Sequence, residues 1–214
     1  MSEPEAKAVL AAAGLRVTRE RRVRSAAEAG AAANEIGYPV VLKGISGTVV
    51  HKSDAGLVRL GLGDRAAVEA AFAEVFAKLR RLDPAAEDCL VSEMVRGGLE
   101  LILGAKRDPQ FGAVVMVGAG GVLVELIGDV EVALAPLSAE TAESMLKRLR
   151  VWPLLQGFRG YPRRDIAAVV DALVKLGELA AALEGRLLEL DVNPLLVGPE
   201  GEGAVAADAR AVLA

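Results

Sequence analysis

One cysteine, one histidine, one tryptophan and an aromatic content of 3% leave several kinds of chemistry without material. The single cysteine, Cys89, excludes an internal disulfide, and its apolar surroundings suit a small core residue in a reducing cytosol. A long hydrophobic run is also missing. The most apolar stretch, 111–124, is broken by glycines 112, 118, 120 and 121 and is too short to span a bilayer. Met1-Ser2-Glu3-Pro4-Glu5 has neither a basic n-region nor an apolar h-region, so the expectation is a soluble, cytoplasmic chain without a membrane partner. The charge balance is mildly acidic, with a net charge of −4. The one basic cluster, Arg16 to Arg24, is short, contains Glu20 and has no interleaved aromatics, which argues against nucleic acid as a partner. No G-x-G-x-x-G opens a helix after a first strand, and there is no Walker lysine motif. A nucleotide, if one binds, is held by another route.

What is present is a core-forming composition, 53% apolar over 214 residues, enough for one large domain or two lobes sharing a site. A short helix over 5–13 ends at Gly14, and Ser25-Ala26-Ala27-Glu28 opens an alanine-rich helix that stops at Gly37. β-like runs follow at 40–43, 48–52 and 57–62, and Asp64 caps a helix to about Arg81 with Val68, Ala71, Phe72, Val75, Phe76 and Leu79 on one face. Strands are expected over 88–95, 99–106, 112–117, 121–126 and 130–134. Helices come next, from Ser138 to about Leu149 and over 163–183, and strands close the chain at 187–192, 195–197 and 204–207. Meanders interrupted by helices predict an α+β fold with lobes at 1–86 and 87–214, and the space between two such lobes is where a ligand is expected.

A few residues do not read as structural. Lys43 stands inside Val40-Val41-Leu42-Lys43, where a lysine needs water access or an anion. It is either a strand end reaching solvent or a phosphate contact on a rigid strand. His51 follows eight residues later in Val49-Val50-His51-Lys52-Ser53-Asp54, with glycines 44, 47 and 56 around it, and imidazole can serve as a covalent nucleophile at neutral pH. In Leu188-Glu189-Leu190-Asp191-Val192-Asn193-Pro194, alternation sets Glu189, Asp191 and Asn193 on one face and Leu188, Leu190 and Val192 on the other. Asn with carboxylates is hard-ligand chemistry, suited to Mg²⁺ on a nucleotide phosphate, unless the row is simply the polar face of a sheet. A hairpin of 195–197 with 204–207 would bring Asp208 near Asn193. Glu93 ends one strand and Glu100 opens the next across Arg96-Gly97-Gly98, a passage whose backbone could meet an adenine edge. Gly118-Ala119-Gly120-Gly121 with Glu125 could cradle phosphate or only join two strands.

Several linked segments, in order over nearly the whole chain, resemble one family. They are Ala13-Gly14-Leu15, Gly37-Tyr38-Pro39-Val40-Val41-Leu42-Lys43, His51-Lys52-Ser53-Asp54, Val91-Ser92-Glu93-Met94-Val95, Gly104-Ala105-Lys106-Arg107-Asp108-Pro109-Gln110-Phe111-Gly112 and Asp191-Val192-Asn193-Pro194-Leu195. The sequence resembles the ATP-grasp β subunit of the ADP-forming acetate–CoA ligases, within the nucleoside-diphosphate-forming acyl-CoA synthetases and related to succinyl-CoA synthetase. The resemblance implies an ATP-grasp fold with ATP or ADP held between two lobes. It implies that Lys43 and Lys52 serve the nucleotide phosphates, Glu93 to Val95 the adenine and Glu100 the nucleotide, with Arg107 as a further positive charge. It implies Asn193 and Asp208 as Mg²⁺ ligands, His51 as a phosphohistidine, and Asp191 as the acid that orients that histidine. One departure is visible: Ala55-Gly56-Leu57 keeps a single glycine where the family often has two.

The implied reaction is acyl-CoA + ADP + Pi ⇌ acid + CoA + ATP, with the phosphoryl group carried by His51. No CoA-binding half is recognisable in the chain, so acyl-CoA and phosphate are expected to meet on a CoA-binding α subunit with its own active-site histidine, in a hetero-oligomer. Two other readings stay open on the residues alone: a stand-alone ATP-grasp ligase joining a carboxylate to an amine, and a non-catalytic ATP-binding regulatory subunit.

Overall fold

The computed structural model describes residues 1–46, 52, 55–121 and 128–214. The expected strands at 48–52 and 121–126 fall wholly or largely outside them; Lys52 lies in a turn. The chain divides into two compact units, Thr18–Met94 and Glu3–Val17 with Val95–Ala214.

In the first unit a four-stranded antiparallel sheet runs in the order β1-β4-β2-β3, with β1 at Glu20–Val23, β2 at Val40–Gly44, β3 at Val58–Leu62 and β4 at Cys89–Glu93. Two helices, α2 (Ala26–Ile36) and α3 (Arg65–Leu82), supply its apolar cover. Their starts follow from local chemistry. Ser25 Oγ accepts from the Glu28 N–H at 3.2 Å and Asp64 Oδ1 accepts from the Ala67 N–H at 2.8 Å, satisfying donors that a helix start leaves unpaired. The Glu28 carboxylate returns to the Arg24 N–H, one residue earlier than a capping box would take it. Val68, Ala71, Phe72, Val75 and Leu79 of α3 are buried against Val40, Leu42, Cys89 and Val91. Each large side chain so buried contributes about 1.5–3 kcal/mol. Phe76 is only partly buried and stacks on Phe72 with ring centroids 5.3 Å apart.

The second unit is built on a six-stranded antiparallel sheet, β10-β8-β5-β6-β7 with β9 paired to β8. Its strands are β5 (Leu99–Asp108), β6 (Gly112–Ala119), β7 (Val130–Leu134), β8 (Leu187–Val197), β9 (Ala204–Ala206) and β10 (Ala209–Leu213). One face packs its apolar residues, Leu101, Leu103, Ala105, Val115, Val117, Leu190 and Val192 among them, into a core shared with α1 (Glu3–Ala12), α4 (Ala139–Arg148), the short α5 (Trp152–Gln156) and α6 (Ile166–Ala182). No helix of the described residues is long and apolar enough to cross a membrane.

The division differs from a boundary at residue 86. Helix α1 belongs with the second unit: the Met1 amine donates to the Ala211 carbonyl at 2.9 Å, and Val17 bridges Ala206. Strand β4 belongs with the first, since it lies between β1 and β2 and pairs with both. β1 itself was not expected. Its Glu-Arg-Arg-Val sequence carries little strand propensity, and pairing with β4 holds it.

Cys89 is fully buried, and burial followed by the charge of Asp88 pushes its thiol up to about 12. The thiolate is the reactive form, so native protein at pH 8 should leave a disulfide reagent unreacted, while urea-unfolded protein should release one equivalent. Rapid colour development from native protein would contradict that packing.

Candidate functional site

Strand β8 organises the acidic row. It pairs with β5 along one edge and with β10 and then β9 along the other. Opposite Leu101 and Leu103 of β5 stand Leu195 and Val192, so β8 fits three residue steps against two of β5. The extra residue falls at Asn193–Pro194, where proline has no N–H to give the ladder. The slip moves the buried positions from Leu190 and Val192 to Leu195 and Val197 and leaves Asn193 exposed.

Opposite the slip, the turn from β9 to β10 supplies Asp208. The expected hairpin is present, with Leu195 opposite Ala206 and Val197 opposite Ala204. The Asn193 N–H donates to the Asp208 carbonyl at 3.2 Å and the Ala207 N–H to the Pro194 carbonyl at 3.0 Å. Asn193 and Asp208 are thereby fixed side by side. Their oxygen donors fit a hard cation. Among the described residues no three His, Cys, Asp or Glu groups gather to hold an ion by themselves. A pair of protein ligands completed by water and phosphate is the arrangement Mg²⁺ favours.

Asp191, two residues back, is half-buried and faces Gly104 across the β5 ladder. A Cβ on Gly104 would meet Met116 Cε at 3.1 Å and Asp191 Oδ1 at 3.5 Å, so the glycine makes room for the Met116 side chain next to the carboxylate. Burial, and then the charge of Glu189, raise the Asp191 pKa above the usual carboxylate value, while Arg210 and Lys106 hold it back. Leu188 does not share the core with Leu190. It is 40% exposed and Leu187 is buried in its place, because the β8–β10 register shifts between Val212 and Leu213.

Arg107 is not on this face. Leu101, Leu103 and Ala105 point into the helical core, so alternation sends Arg107 to their side and Gly104 and Lys106 to the side of Asp191. Arg107, expected as a further positive charge at the nucleotide, thus lies on the face opposite to the acidic row, and Lys106 is the cation that shares the face of Asp191. The signal was available in the sequence, as the two-residue period counted from Gly104.

Glu100 lies at the start of β5, exposed, with its carbonyl accepting from the Gly120 N–H at 2.8 Å. A Cβ on Gly120 would lie 2.6–2.8 Å from the Glu100 backbone and Cβ, and one on Gly121, at φ +65°, would lie 2.9 Å from Glu100 Oε2. The glycine-rich turn is thus the seat of Glu100. Glu125 lies outside the described residues.

The first unit carries the other candidates. Lys43 is 8% exposed in a strand flanked on both sides, opposite Leu90 and Val58, so it is no fraying strand end. It shares the sheet face turned away from Val40 and Leu42. Lys52 is half-exposed, and its carbonyl accepts from the Leu57 N–H at 2.8 Å. His51 lies outside the described residues. The Glu93 carboxylate is engaged by Arg19 Nε at 2.7 Å, and the N–H groups of Glu93 and Met94 donate to the carbonyls of Arg19 and Pro39. The Val95 N–H has no partner among the described residues, which makes it the free donor of the 93–95 segment. A surface cavity of about 740 Å³ opens elsewhere, lined by Glu143, Arg163, Val170, Asp171 and Glu200, and none of the candidate residues lines it.

Comparison with known proteins gives this arrangement its class. The model of the ATP-grasp domain matches residues 1–213, and the chain belongs to the ATP-grasp family. Within that family it is 40% identical, over 215 residues, to the β subunit of the ADP-forming acetate–CoA ligase II of Pyrococcus furiosus, covering 100% of this chain and 91% of that one. Among solved structures it is similar to acetyl-coenzyme A synthetase 1 of Ca. Korarchaeum cryptofilum in complex with coenzyme A, Ca-AMPCP and HgCl⁺. The TM-score is 0.94 at 42% identity, over 100% of this chain and 93% of that chain. A second structure of that enzyme, with coenzyme A and Mg-AMPPCP and its phosphohistidine segment pointing towards the nucleotide binding site, matches at TM-score 0.86 and 42% identity over 99% and 92% of the two chains.

Two outcomes are expected from the geometry. Gly120→Ala should lower stability by about 1–3 kcal/mol, the usual size of an overpacking penalty, whereas Gly63→Ala, with nothing within 4 Å of the added methyl, should be near neutral. Thermal melts of the two variants decide it. For Asp191 the sign follows from its raised pKa: the folded state holds the proton more tightly than the unfolded one, so stability falls as pH climbs from the unfolded value through the folded one. Asp191→Asn should therefore resist urea better than the parent at pH 7, with the difference closing as pH falls to the ordinary carboxylate range. A variant weaker than the parent at pH 7 would show that the carboxylate is held by more than Arg210 and Lys106.

Proposed function

We propose that the chain is the nucleotide-binding β subunit of an ADP-forming acyl-CoA synthetase, working with a CoA-binding partner subunit in acyl-CoA + ADP + Pi ⇌ acid + CoA + ATP. The observation that carries this reading is the pairing of Asn193 with Asp208 beside Asp191, in a chain similar over its whole length to β subunits of such ligases. Lys43 contacts nucleotide phosphate from its rigid strand, with Lys52 assisting, and the 93–95 segment meets the adenine through the Val95 N–H. Glu100, seated on Gly120 and Gly121, takes the ribose side. Asn193 and Asp208 hold Mg²⁺, which when bound offsets the phosphate charge.

In the direction of ATP formation, His51 receives a phosphoryl group from a histidine of the partner subunit. Its N–P bond then breaks as a terminal oxygen of ADP forms the new O–P bond. Asp191 fixes the ring tautomer and steadies the imidazolium as the group arrives and leaves. A carrier residue is needed because acyl and nucleotide chemistry take place on different subunits. No pocket for the acid is assigned to this chain.

The test starts from Mg²⁺ and γ-labelled ATP. The chain should take up label that is acid-labile and base-stable, and His51→Ala or removal of Mg²⁺ should abolish it. With the partner subunit, acetyl-CoA, labelled phosphate and no ADP, the same residue should be labelled from the other side. A chain that binds nucleotide but stays unlabelled in both assays, while the partner is labelled, would sink the carrier role and favour a regulatory nucleotide-binding subunit. Label that survives His51→Ala would shift the reading to another nucleophile.

A further inference from the structure

The sheet face that presents Asp191 also presents two cations with no role so far. Arg210 on β10 stands directly opposite Asp191. Lys106 on β5 stands opposite Glu189, one step along the same face from Gly104. Since β8 runs between β5 and β10, the two cations straddle its carboxylates, one from each side. Directly opposed side chains start about 5 Å apart and diagonal ones about 7–8 Å apart, so both heads can reach the space above Gly104 and Asp191.

Their partners are the informative point. Two carboxylates and two cations interleaved on one face would be expected to pair, as Arg148 at the end of α4 does with Glu131 of β7 at 2.7 Å. Lys106 and Arg210 do not. Both are exposed, and neither has a hydrogen bond or ion pair with any described residue. Their donors stand on either side of the Asp191 position, one from each neighbouring strand. Lysine offers three donors from a point charge and arginine a planar fork, a combination suited to the oxygens of a tetrahedral dianion.

We propose that Lys106 and Arg210 hold the terminal phosphoryl group of the nucleoside triphosphate from two sides, next to Asp191, and that Arg107 takes no part. This rests on the nucleotide-site reading above. The physical need is plain. A phosphoryl dianion brought up to Asp191 and Glu189 meets like charge, and two flanking cations offset that repulsion. Because the contact is to the terminal group alone, the two residues should distinguish triphosphate from diphosphate.

Isothermal titration of the full chain in Mg²⁺, with ADP and with a non-hydrolysable ATP analogue, tests this. Lys106→Met and Arg210→Met should each weaken the analogue about tenfold, the size expected when one charge-assisted hydrogen bond is lost, and change ADP by less than about threefold. Arg107→Met should leave both affinities unchanged, and melting curves should show all three variants folded. Equal weakening of both nucleotides, no change in either, or a loss confined to Arg107→Met would each overturn the assignment. A parent that binds the two nucleotides while the variants match it removes this proposal alone. A parent that binds neither removes the nucleotide-site reading and the assignment with it.

Discussion

The slip of β8 at Asn193–Pro194 is the constraint on which the larger unit depends. On one side of it Leu190 and Val192 feed the core, and on the other Leu195 and Val197 do. A regular strand through 187–197 would alternate without a break, and with Leu190 and Val192 inside it would turn Leu195 and Val197 out. Adding one residue restores burial to both halves. The residues left over at the irregularity cannot pack, and their backbone must find partners elsewhere. It does so in the β9–β10 turn, through the Asn193 N–H and the Pro194 carbonyl. The position of Asp208 is therefore a consequence of core packing and not an independent placement.

The same logic explains why the polar row is tolerated. Asp191 is half-buried, with a carboxyl whose charged form is disfavoured by its surroundings, and nothing in the fold requires an acid there. Its neighbour across the ladder is a glycine, which contributes no packing and weakens a strand interior. Gly120 repeats the pattern, since the Glu100 backbone closes on it too tightly for any side chain. Such glycines are poor choices for strand stability, and they admit the close approach of Met116 at Gly104 and of Glu100 at Gly120. Lys43 belongs to the same set: a buried cation in a strand whose other residues are all apolar or glycine.

Much of this was legible in the sequence because it depends on short-range rules. Ser25, Asp64 and Ser138 were readable as caps, and each accepts from the N–H three residues on. The two-residue period of 188–193 located the acidic row, and the hairpin of 195–197 brought Asp208 to Asn193. The failures share a cause, which is register set by a distant strand. Leu188 was placed in the core by alternation, but the β10 register shift turns it out. Helix α5 and strands β1 and β10 are short segments held by their neighbours and not by their own propensity. Counting by twos from Leu101 also sets Arg107 on the helical side of the sheet, where the charge of the residue alone gives no indication of its face.

Register also binds function to stability in this unit. A one-residue shift of β8 against β5 would carry Leu190 and Val192 to the open face and Asp191 into the helical core, where an unpaired carboxylate costs several kcal/mol. The apolar residues that secure the core are therefore the ones that keep the acid, Gly104 and both flanking cations on one side. Insertions within 187–193 should be excluded by folding before chemistry is ever tested. The turn at 198–203, beyond the last β8–β9 pair, carries no such constraint from the acidic row. The site's precision thus comes from ladder pairing across three neighbouring strands, β10, β8 and β5. No direct bond among Lys106, Asp191 and Arg210 is required to keep them in place, so their charges stay available to whatever enters.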